Sequence, residues 1–371
     1  MAGRLERLME QLAPRSTELE LSRATAALAA ASHDALILSG DIGGTRSRLQ
    51  LWRAPQPGEG WGEDGVKLKI PGELVFEQKY LNESFMTFTA ICTGFFEDAS
   101  AAGAISASDT TVAAATFAMA GPVDAYLNQM LFTNKSTWGL IEGSELAKAL
   151  NIPVVKLVND FVANGYGLLT LDDSEVFSLQ DSVPELRAPI ACIGAGTGLG
   201  EAYLTWATDR YVVHASEGGH ADFAPRTDLE IELLGYLKNR YRNTTTRGST
   251  CRVSVERVAS GTGMANTYDF LAQRFPEKLD AALHEEIVAA GDMKAAVISQ
   301  NGKGGKRDLL CRMTMEIFCS TFGSEAGDMA LKLLPTGGLY IAGGIAPRNL
   351  SYLAARRTRT RTNGDIEMLG E

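Results

Sequence analysis

The sequence predicts an α/β protein of two lobes, each built on a mixed sheet with flanking helices. The first observation behind this is an internal echo. A strand, a glycine turn and a second strand at residues 35–52 recur about 150 residues later, at residues 190–206, as a duplicated lobe would require. Strand-length apolar runs also alternate with segments of helical spacing along most of the chain. The third observation is size. The 371 residues are 45% hydrophobic and 22% charged, which supports two domains or one large one with a sizeable core.

The elements follow in order. Thr17 and Glu20 have capping-box spacing ahead of an Ala-rich run to Ala31, so the first 35 residues read as one or two helices. Residues 35–40 form an apolar run that ends in Asp41-Ile42-Gly43-Gly44-Thr45, and residues 47–52 alternate. Together these predict two strands around a tight glycine turn. A Pro- and Gly-rich loop at 55–65 precedes a strand at 74–80 and a helix at 84–99. Strands at 111–119 and 154–158 alternate with helices at 144–150 and 161–169. Residues 190–193 open a strand that runs into Gly194-Ala195-Gly196-Thr197-Gly198-Leu199-Gly200, followed by an apolar stretch at 202–206. Beyond residue 226 the chain reads as mostly helical, clearest at 229–240 and 308–334, with a polar loop at 243–250. Residues 339–342 form a strand that leads into Gly343-Gly344. After Leu350 comes a biased run, Arg356-Arg357-Thr358-Arg359-Thr360-Arg361-Thr362, so the last 20 or so residues read as disordered.

Composition excludes several classes. A net charge of −10 and a pI near 5.1 argue against a nucleic-acid binder, which needs a basic footprint. The five cysteines are odd in number and none has C-x-x-C spacing, so they read as reduced thiols rather than disulfides or zinc ligands. No apolar run approaches the roughly 20 residues of a membrane span. The first 21 residues mix Arg4, Arg7 and Arg15 with Glu6, Glu10, Glu18 and Glu20, which fits neither a signal nor a transit peptide. Cytoplasm is the expected location.

Four segments carry chemistry. In Asp41-Ile42-Gly43-Gly44-Thr45, glycines let backbone N–H groups approach an anion, Thr45 adds a hydroxyl, and Asp41 could hold hydrated Mg²⁺ beside phosphates. An ordinary hairpin turn would also use two glycines. The four alternating glycines Gly194, Gly196, Gly198 and Gly200 lack the Lys of a P-loop. The dinucleotide fingerprint fails at Leu199. Two such hairpins in one chain can grip a triphosphate. Asn159-Asp160 ends a buried strand, where ligands of open α/β sheets bind, and Asp160 could act as a base. On local grounds the pair reads first as a helix N-cap. Glu217-Gly218-Gly219-His220 offers a carboxylate and an imidazole on a glycine turn, which suits a polyhydroxylated ligand. With only four histidines and no H-E-x-x-H, a metal centre is not expected.

Taken together, these segments resemble the bacterial-type glucokinases of the hexokinase and actin-like ATPase superfamily. The motifs run in family order: Asp41-Ile42-Gly43-Gly44-Thr45, Ala120-Gly121-Pro122, Phe132-Thr133-Asn134 with Trp138, and Val158-Asn159-Asp160-Phe161. They continue with the 194–200 loop, residues 217–225 beginning at Glu217, Val255-Glu256-Arg257-Val258 with Ser260-Gly261, and residues 341–348. The resemblance covers residues 36 to about 350. It implies a two-lobed actin-like (ribonuclease H-like) fold, with the sugar in the cleft between lobes that close over it. The domains expected are a helical extension at 1–35, a small lobe at 36–170, a large lobe at 171–350 and an atypical tail at 351–371. The implied activity is ATP-dependent phosphorylation of D-glucose at its C6 hydroxyl, with Mg²⁺. Asp160 is implied as the general base, and Asn159, Asp160, Glu217, His220 and Glu256 as sugar-binding. Gly40, Asp41, Ile42, Gly43, Gly44 and Thr45, with Gly194, Gly196, Thr197 and Gly198, match the two phosphate loops. Gly343 and Gly344 match the nucleoside-side turn, and Asp41 would reach the metal through water. The resemblance leaves a homodimer open and offers no nucleic-acid or membrane partner. The N-terminal 35 residues are additional to the family pattern. After Arg356 nothing resembles the family's closing strand, glycine pair and crossing helix. On that ground the alternative is a non-catalytic sugar-binding or regulatory homologue. A sugar-responsive repressor is set aside, because no basic recognition helix is present.

Overall fold

A computed structural model describes residues 36–53, 72–105, 112–133, 135–172, 174–180, 182–208, 210–242, 252–303 and 308–355. The helices expected within residues 1–35, the loops at 55–65 and 243–250 and the tail beyond 355 lie outside these residues. The chain divides into two compact units between Leu171 and Asp172.

The first unit runs β1 (Leu36–Ile42), β2 (Arg46–Arg53), β3 (Glu73–Leu81), α1 (Phe88–Ala101), β4 (Val112–Met119), β5 (Gln129–Leu131), β6 (Leu140–Glu142), α2 (Gly143–Leu150), β7 (Val155–Asn159) and α3 (Asp160–Leu168). Its sheet has the order β3-β2-β1-β4-β7. β1, β2 and β3 are antiparallel neighbours, whereas β1, β4 and β7 run parallel. Alternation sets the buried face: Leu36, Leu38, Gly40 and Ile42 of β1 point to the core, as do Ser47, Leu49 and Leu51 of β2. Phe88, Ile91, Cys92 and Phe95 of α1 join that core. The Phe88 ring meets Phe117 edge-on at 4.9 Å. Phe132 stacks on Trp138 at 4.9 Å, whose indole N–H donates to the Phe85 carbonyl.

The second unit continues with β8 (Ile190–Ala195), β9 (Leu199–Ala207), β10 (Arg210–Ser216), α4 (Asp228–Arg240), α5 (Gly261–Arg274), α6 (Ala281–Ala289), α7 (Lys294–Asn301), α8 (Leu309–Leu333), β11 (Leu339–Ala342), α9 (Ile345–Arg348) and α10 (Leu350–Ala355). Its sheet order is β10-β9-β8-β11, with β11 parallel to β8. All of β8 is buried, as expected for a central strand covered on both faces. Helix α8 starts at Asp308, whose carboxylate accepts from the Cys311 N–H. It packs Phe318, Phe322 and Met329 against Ala191, Ile193 and Ala195. A second core joins Leu233, Leu237, Tyr268, Leu271, Ile287 and Ile298 of α4 to α7.

The structure corrects some boundaries. Strand β1 runs through Asp41 and Ile42, so the turn proper is Gly43-Gly44-Thr45. Helix α1 begins at Phe88 rather than residue 84, because Asn82–Ser84 forms a 3-10 turn and Thr87 caps the helix. Strand β10 and the β5–β6 ribbon were not expected. The expected disorder from residue 351 is wrong for its first residues, since α10 extends to Ala355. The reason is a polar anchor. The Asn349 side chain, buried, accepts from the Ser299 hydroxyl at 2.6 Å and donates to the Ile345 carbonyl at 2.9 Å. The Lys303 ammonium donates to the Arg348 carbonyl at 2.7 Å, and the Tyr352 hydroxyl donates to the Gly302 carbonyl.

Truncating Phe117 tests the first core. It is fully buried in β4 beside Phe88 and Gly40, so Phe117→Ala should cost about 3–5 kcal/mol. Urea unfolding checks this, and a loss below about 1 kcal/mol would show that the core refills the space.

Candidate active site

The carboxyl ends of β1, β4 and β7 lie side by side, with Ile42 opposite Met119 and Met119 opposite Asn159. They are stitched together there. The Ala120 N–H donates to the Ile42 carbonyl at 2.9 Å, and the Asn159 amide donates to the Gly121 carbonyl at 3.1 Å. This edge is where open α/β sheets bind ligands.

The Gly43-Gly44-Thr45 turn is held from behind. Asn82, buried just past β3, donates through its Nδ2 to the carbonyls of Gly43 (2.8 Å) and Gly44 (3.2 Å). Its Oδ1 accepts from the buried Ser47 hydroxyl at 2.8 Å, and its N–H reaches the Thr45 carbonyl at 2.9 Å. In a trans peptide the N–H points opposite the C=O of the same unit. Tethering these two carbonyls therefore turns the N–H groups of Gly44 and Thr45 away from Asn82. Asp41 and Thr45 are exposed at the same place. Gly40 and Ile42 differ. The Ile42 side chain is in the core. A Cβ at Gly40 would lie 2.7 Å from Leu49 and Phe117 side-chain atoms, so sheet packing alone accounts for that glycine.

Asn159 and Asp160 divide the work left open by the sequence. Asn159 is the cap of α3, with Oδ1 accepting from the N–H groups of Phe161 (2.8 Å) and Val162 (3.3 Å). Asp160, half-buried, is the first helical residue and accepts from the Phe161 N–H at 2.9 Å.

The second glycine loop repeats the device with a different tether. The Gly196 N–H closes the turn on the Gly198 carbonyl at 2.9 Å. The Gly196 carbonyl accepts from the N–H of Gly261 at 2.8 Å. The Thr197 carbonyl accepts from the Thr262 hydroxyl at 2.9 Å. Both donors sit at the N-terminus of α5. By the same peptide geometry, the N–H groups of Thr197 and Gly198 point away from that helix. A Cβ at Gly196 or Gly344 would meet nothing within 4 Å, so a ligand can approach the backbone at both. Gly343 has φ +81°, and a Cβ there would lie 2.6 Å from the Ala195 carbonyl. The Gly343-Gly344 turn is thus packed against the 194–200 loop, while Gly194 itself pairs with Gly200 and Ala342 inside the sheet.

The Glu217–His220 turn is seated on β9. A Cβ at Gly219 would lie 2.0 Å from the Leu199 carbonyl, so only glycine fits. Residues 221–223 pair with 253–255 through Val255 N–H to Ala221 O (2.8 Å) and Phe223 N–H to Val253 O (2.9 Å). This pairing carries Glu256 to His220. His220 Nδ1 is 3.3 Å from Glu256 Oε1, and its Nε2 is 3.6 Å from Glu217 Oε2. A Cβ at Gly198 would lie 3.0 Å from Glu256 Oε2. The structure thus gathers Glu217, His220 and Glu256 and sets them against the second glycine loop. Of the other motif residues, Phe132 and Trp138 belong to the core, and Asn134 lies outside the described residues. Among the described residues no three His, Cys, Asp or Glu side chains gather as a metal site, and no helix is long and apolar enough to cross a membrane.

Sequence reasoning missed Asn82 and Thr262. Asn82 follows a strand in an unremarkable polar stretch, and only the fold brings it to a turn 38 residues earlier.

Comparison with known proteins agrees with this geometry. A family model described as Glucokinase matches residues 38–364. The chain belongs to the glucokinase family. A glucokinase of Synechocystis sp. is 40% identical over 326 residues, covering 85% of each chain. One of Trichormus variabilis is 37% identical over 329 residues, covering 86% of each. Among solved structures, glucokinase from an Antarctic psychrotroph superposes with a TM-score of 0.62 at 28% identity, covering 90% of each chain. The fold is accordingly the two-lobed actin-like sugar-kinase fold, with mixed sheets and flanking helices.

Asn82→Ala should free the Gly43 and Gly44 carbonyls and leave the buried Ser47 hydroxyl without its acceptor. The expected loss is about 1–3 kcal/mol in chemical denaturation. Wild-type stability in this variant would mean that the turn holds its shape without the clamp.

Proposed function

We propose that the chain is a working glucokinase that transfers the γ-phosphoryl group of ATP to the C6 hydroxyl of D-glucose, in the cytoplasm where both substrates occur. The observation that carries this is the pair of tethered glycine loops, the second of which abuts the Glu217–His220–Glu256 cluster.

Phosphoryl transfer asks mainly for positioning and charge stabilisation. The N–H groups of Gly44, Thr45, Thr197 and Gly198 are donors to phosphate oxygens, fixed before ligand arrives. Gly343 and Gly344 border the nucleoside side. Glu217, His220 and Glu256 supply acceptors and a donor for sugar hydroxyls, and Asn159 adds an amide. Asp160 accepts the C6 hydroxyl proton as that oxygen bonds to the γ-phosphorus. The bond to the bridging oxygen breaks, and ADP leaves with that electron pair. Asp41 fits hydrated Mg²⁺, being an exposed carboxylate beside a turn whose amides face outward. When bound, the ion neutralises phosphate charge.

The second reading, a sugar-binding protein without turnover, separates cleanly in a coupled assay with glucose, ATP and Mg²⁺. Formation of glucose 6-phosphate supports the kinase. Glucose binding without product supports the alternative.

Replacing the base should abolish turnover while glucose still binds. Asp160→Asn should lower kcat about 10²–10⁴-fold, and near-normal kcat would remove Asp160 from that role. The sugar contacts exist in the ground state too, so Glu217→Gln and His220→Ala should raise the glucose KM more than they lower kcat. An unchanged KM with a collapsed kcat would point instead to a transition-state role.

A further inference from the structure

Beneath the Glu217–His220 turn lies an acidic side chain that the proposed mechanism does not use. Glu201 of β9 stands between Ile193 of β8 and Ser216 of β10 in the sheet register. It is only 5% exposed. A Cβ at Gly218 would fall 1.8 Å from Glu201 Oε2, so the carboxyl fills the space directly under that residue. Ser216, its register partner, accepts from the Gly218 N–H through its hydroxyl at 3.0 Å. The other oxygen, Oε1, is buried with no hydrogen-bond partner among the described residues.

We infer that Glu201 is a positioning residue for the sugar-binding turn: it seats Gly218, and with it Glu217 and His220, while its carboxyl is neutral, and glucose affinity falls as that carboxyl ionises. The inference rests on the assignment of this turn to glucose. The physical reason is the cost of an unpartnered buried anion. With Oε1 unpartnered and Lys332 only a weak counter-charge, a carboxylate at this place is relieved chiefly by a proton or by water, and admitting water under Gly218 means lifting the backbone that covers Oε2.

The charged groups around it push the same way. Glu325 of α8 faces Glu201 and disfavours its ionisation, while Lys332 of the same helix opposes this more weakly. From the turn itself come Glu217 and His220, both more than half exposed. Burial, with Glu325 second, pushes the Glu201 carboxyl up to about 7, and burial raises Glu325 as well. The sign follows from linkage. The folded chain holds this proton more tightly than the unfolded chain, so stability falls as pH rises from the ordinary glutamate range to about 7, and levels off above it.

The experiment compares wild type, Glu201→Gln and Glu325→Gln from about pH 6 to about pH 8.5, a window that spans the titration. It reads glucose KM, ATP KM, kcat and the rise in melting temperature on adding glucose. The wild-type glucose KM should climb about fivefold, with ATP KM and kcat moving far less. Glu201→Gln mimics the neutral form and should hold the low-pH glucose KM throughout. Its melting temperature should exceed wild type throughout the window, with the gap widening from about pH 6 until it levels off above about 7. Glu325→Gln should keep the rise but move its midpoint to lower pH, and it serves if Glu201→Gln does not fold. Parallel glucose-KM profiles for wild type and Glu201→Gln, or an unmoved midpoint in Glu325→Gln, would overturn the inference alone. A wild type that neither phosphorylates glucose nor is stabilised by it would overturn the glucokinase reading, and this inference with it.

Discussion

Two glycine loops, one in each unit, are fixed by hydrogen bonds made to their carbonyls from behind. Asn82 holds Gly43 and Gly44, and the start of α5 holds Gly196 and Thr197. A glycine loop left to itself is conformationally permissive, and an amide that must reorient when a phosphate arrives stabilises charge poorly. Tethered carbonyls remove that freedom in advance. The rest of each unit can be read as a mount for its tether. In the first, the sheet carries Gly43 and Gly44 at the end of β1 and Asn82 at the end of β3, two strands away. In the second, α5 is packed into a helical core that leaves its N-terminus against the loop.

The Glu217–His220–Glu256 cluster depends on the second mount. Glu256 follows the segment that pairs with residues 221–223, and it ends beside both His220 and Gly198. The cluster and the second glycine loop are therefore fixed against one another. The two glycines of the Glu217–His220 turn serve that arrangement through lack of bulk. Gly219 must pass within reach of the Leu199 carbonyl, and Gly218 must clear Glu201. Neither has a positive φ, so close approach alone explains them.

Much of this was legible in the sequence. Strands β4 and β7 appear within a residue or so of their predicted ends: β4 is an almost continuous apolar run, as befits a central parallel strand, and β7, though at the sheet edge, buries Val155, Leu157 and Asn159 in strict alternation. The second glycine loop stood out, since few segments alternate glycines after a buried strand, and the first gained weight from being paired with it. What escaped was non-local. Asn82 carries no pattern of its own; its role comes from sheet order. Strand β10 pairs antiparallel with β9 after a turn too short to leave a marked signal. Helix α10 was hidden by the Arg/Thr run beyond it and is held by hydrogen bonds at Asn349, Lys303 and Tyr352, together with the packing of Tyr352 against the core. At Asn159-Asp160 the residue types alone suit a cap at either position; the backbone makes Asn159 the cap and Asp160 the first helical residue, though both side chains accept from the Phe161 N–H. Gly40, read with the phosphate loop, owes its identity to Leu49 and Phe117 instead.

The two tethers are written in different chemical alphabets. At the first loop the donor to both glycine carbonyls is a side chain, and a single codon at position 82 specifies it. At the second, one of the donors is a main-chain N–H, from Gly261, a group every residue but proline carries, although a Cβ there would sit 3.1 Å from the Gly196 carbonyl. The first loop is therefore open to loss through one substitution far from it in the chain, and equally open to replacement by another amide or hydroxyl donor that reaches the same carbonyls. The second keeps its main-chain tether whichever side chains surround it, loses the other if the Thr262 hydroxyl goes, and answers above all to whether the helix starts at the right residue. Mutational drift should find the two loops unequally tolerant.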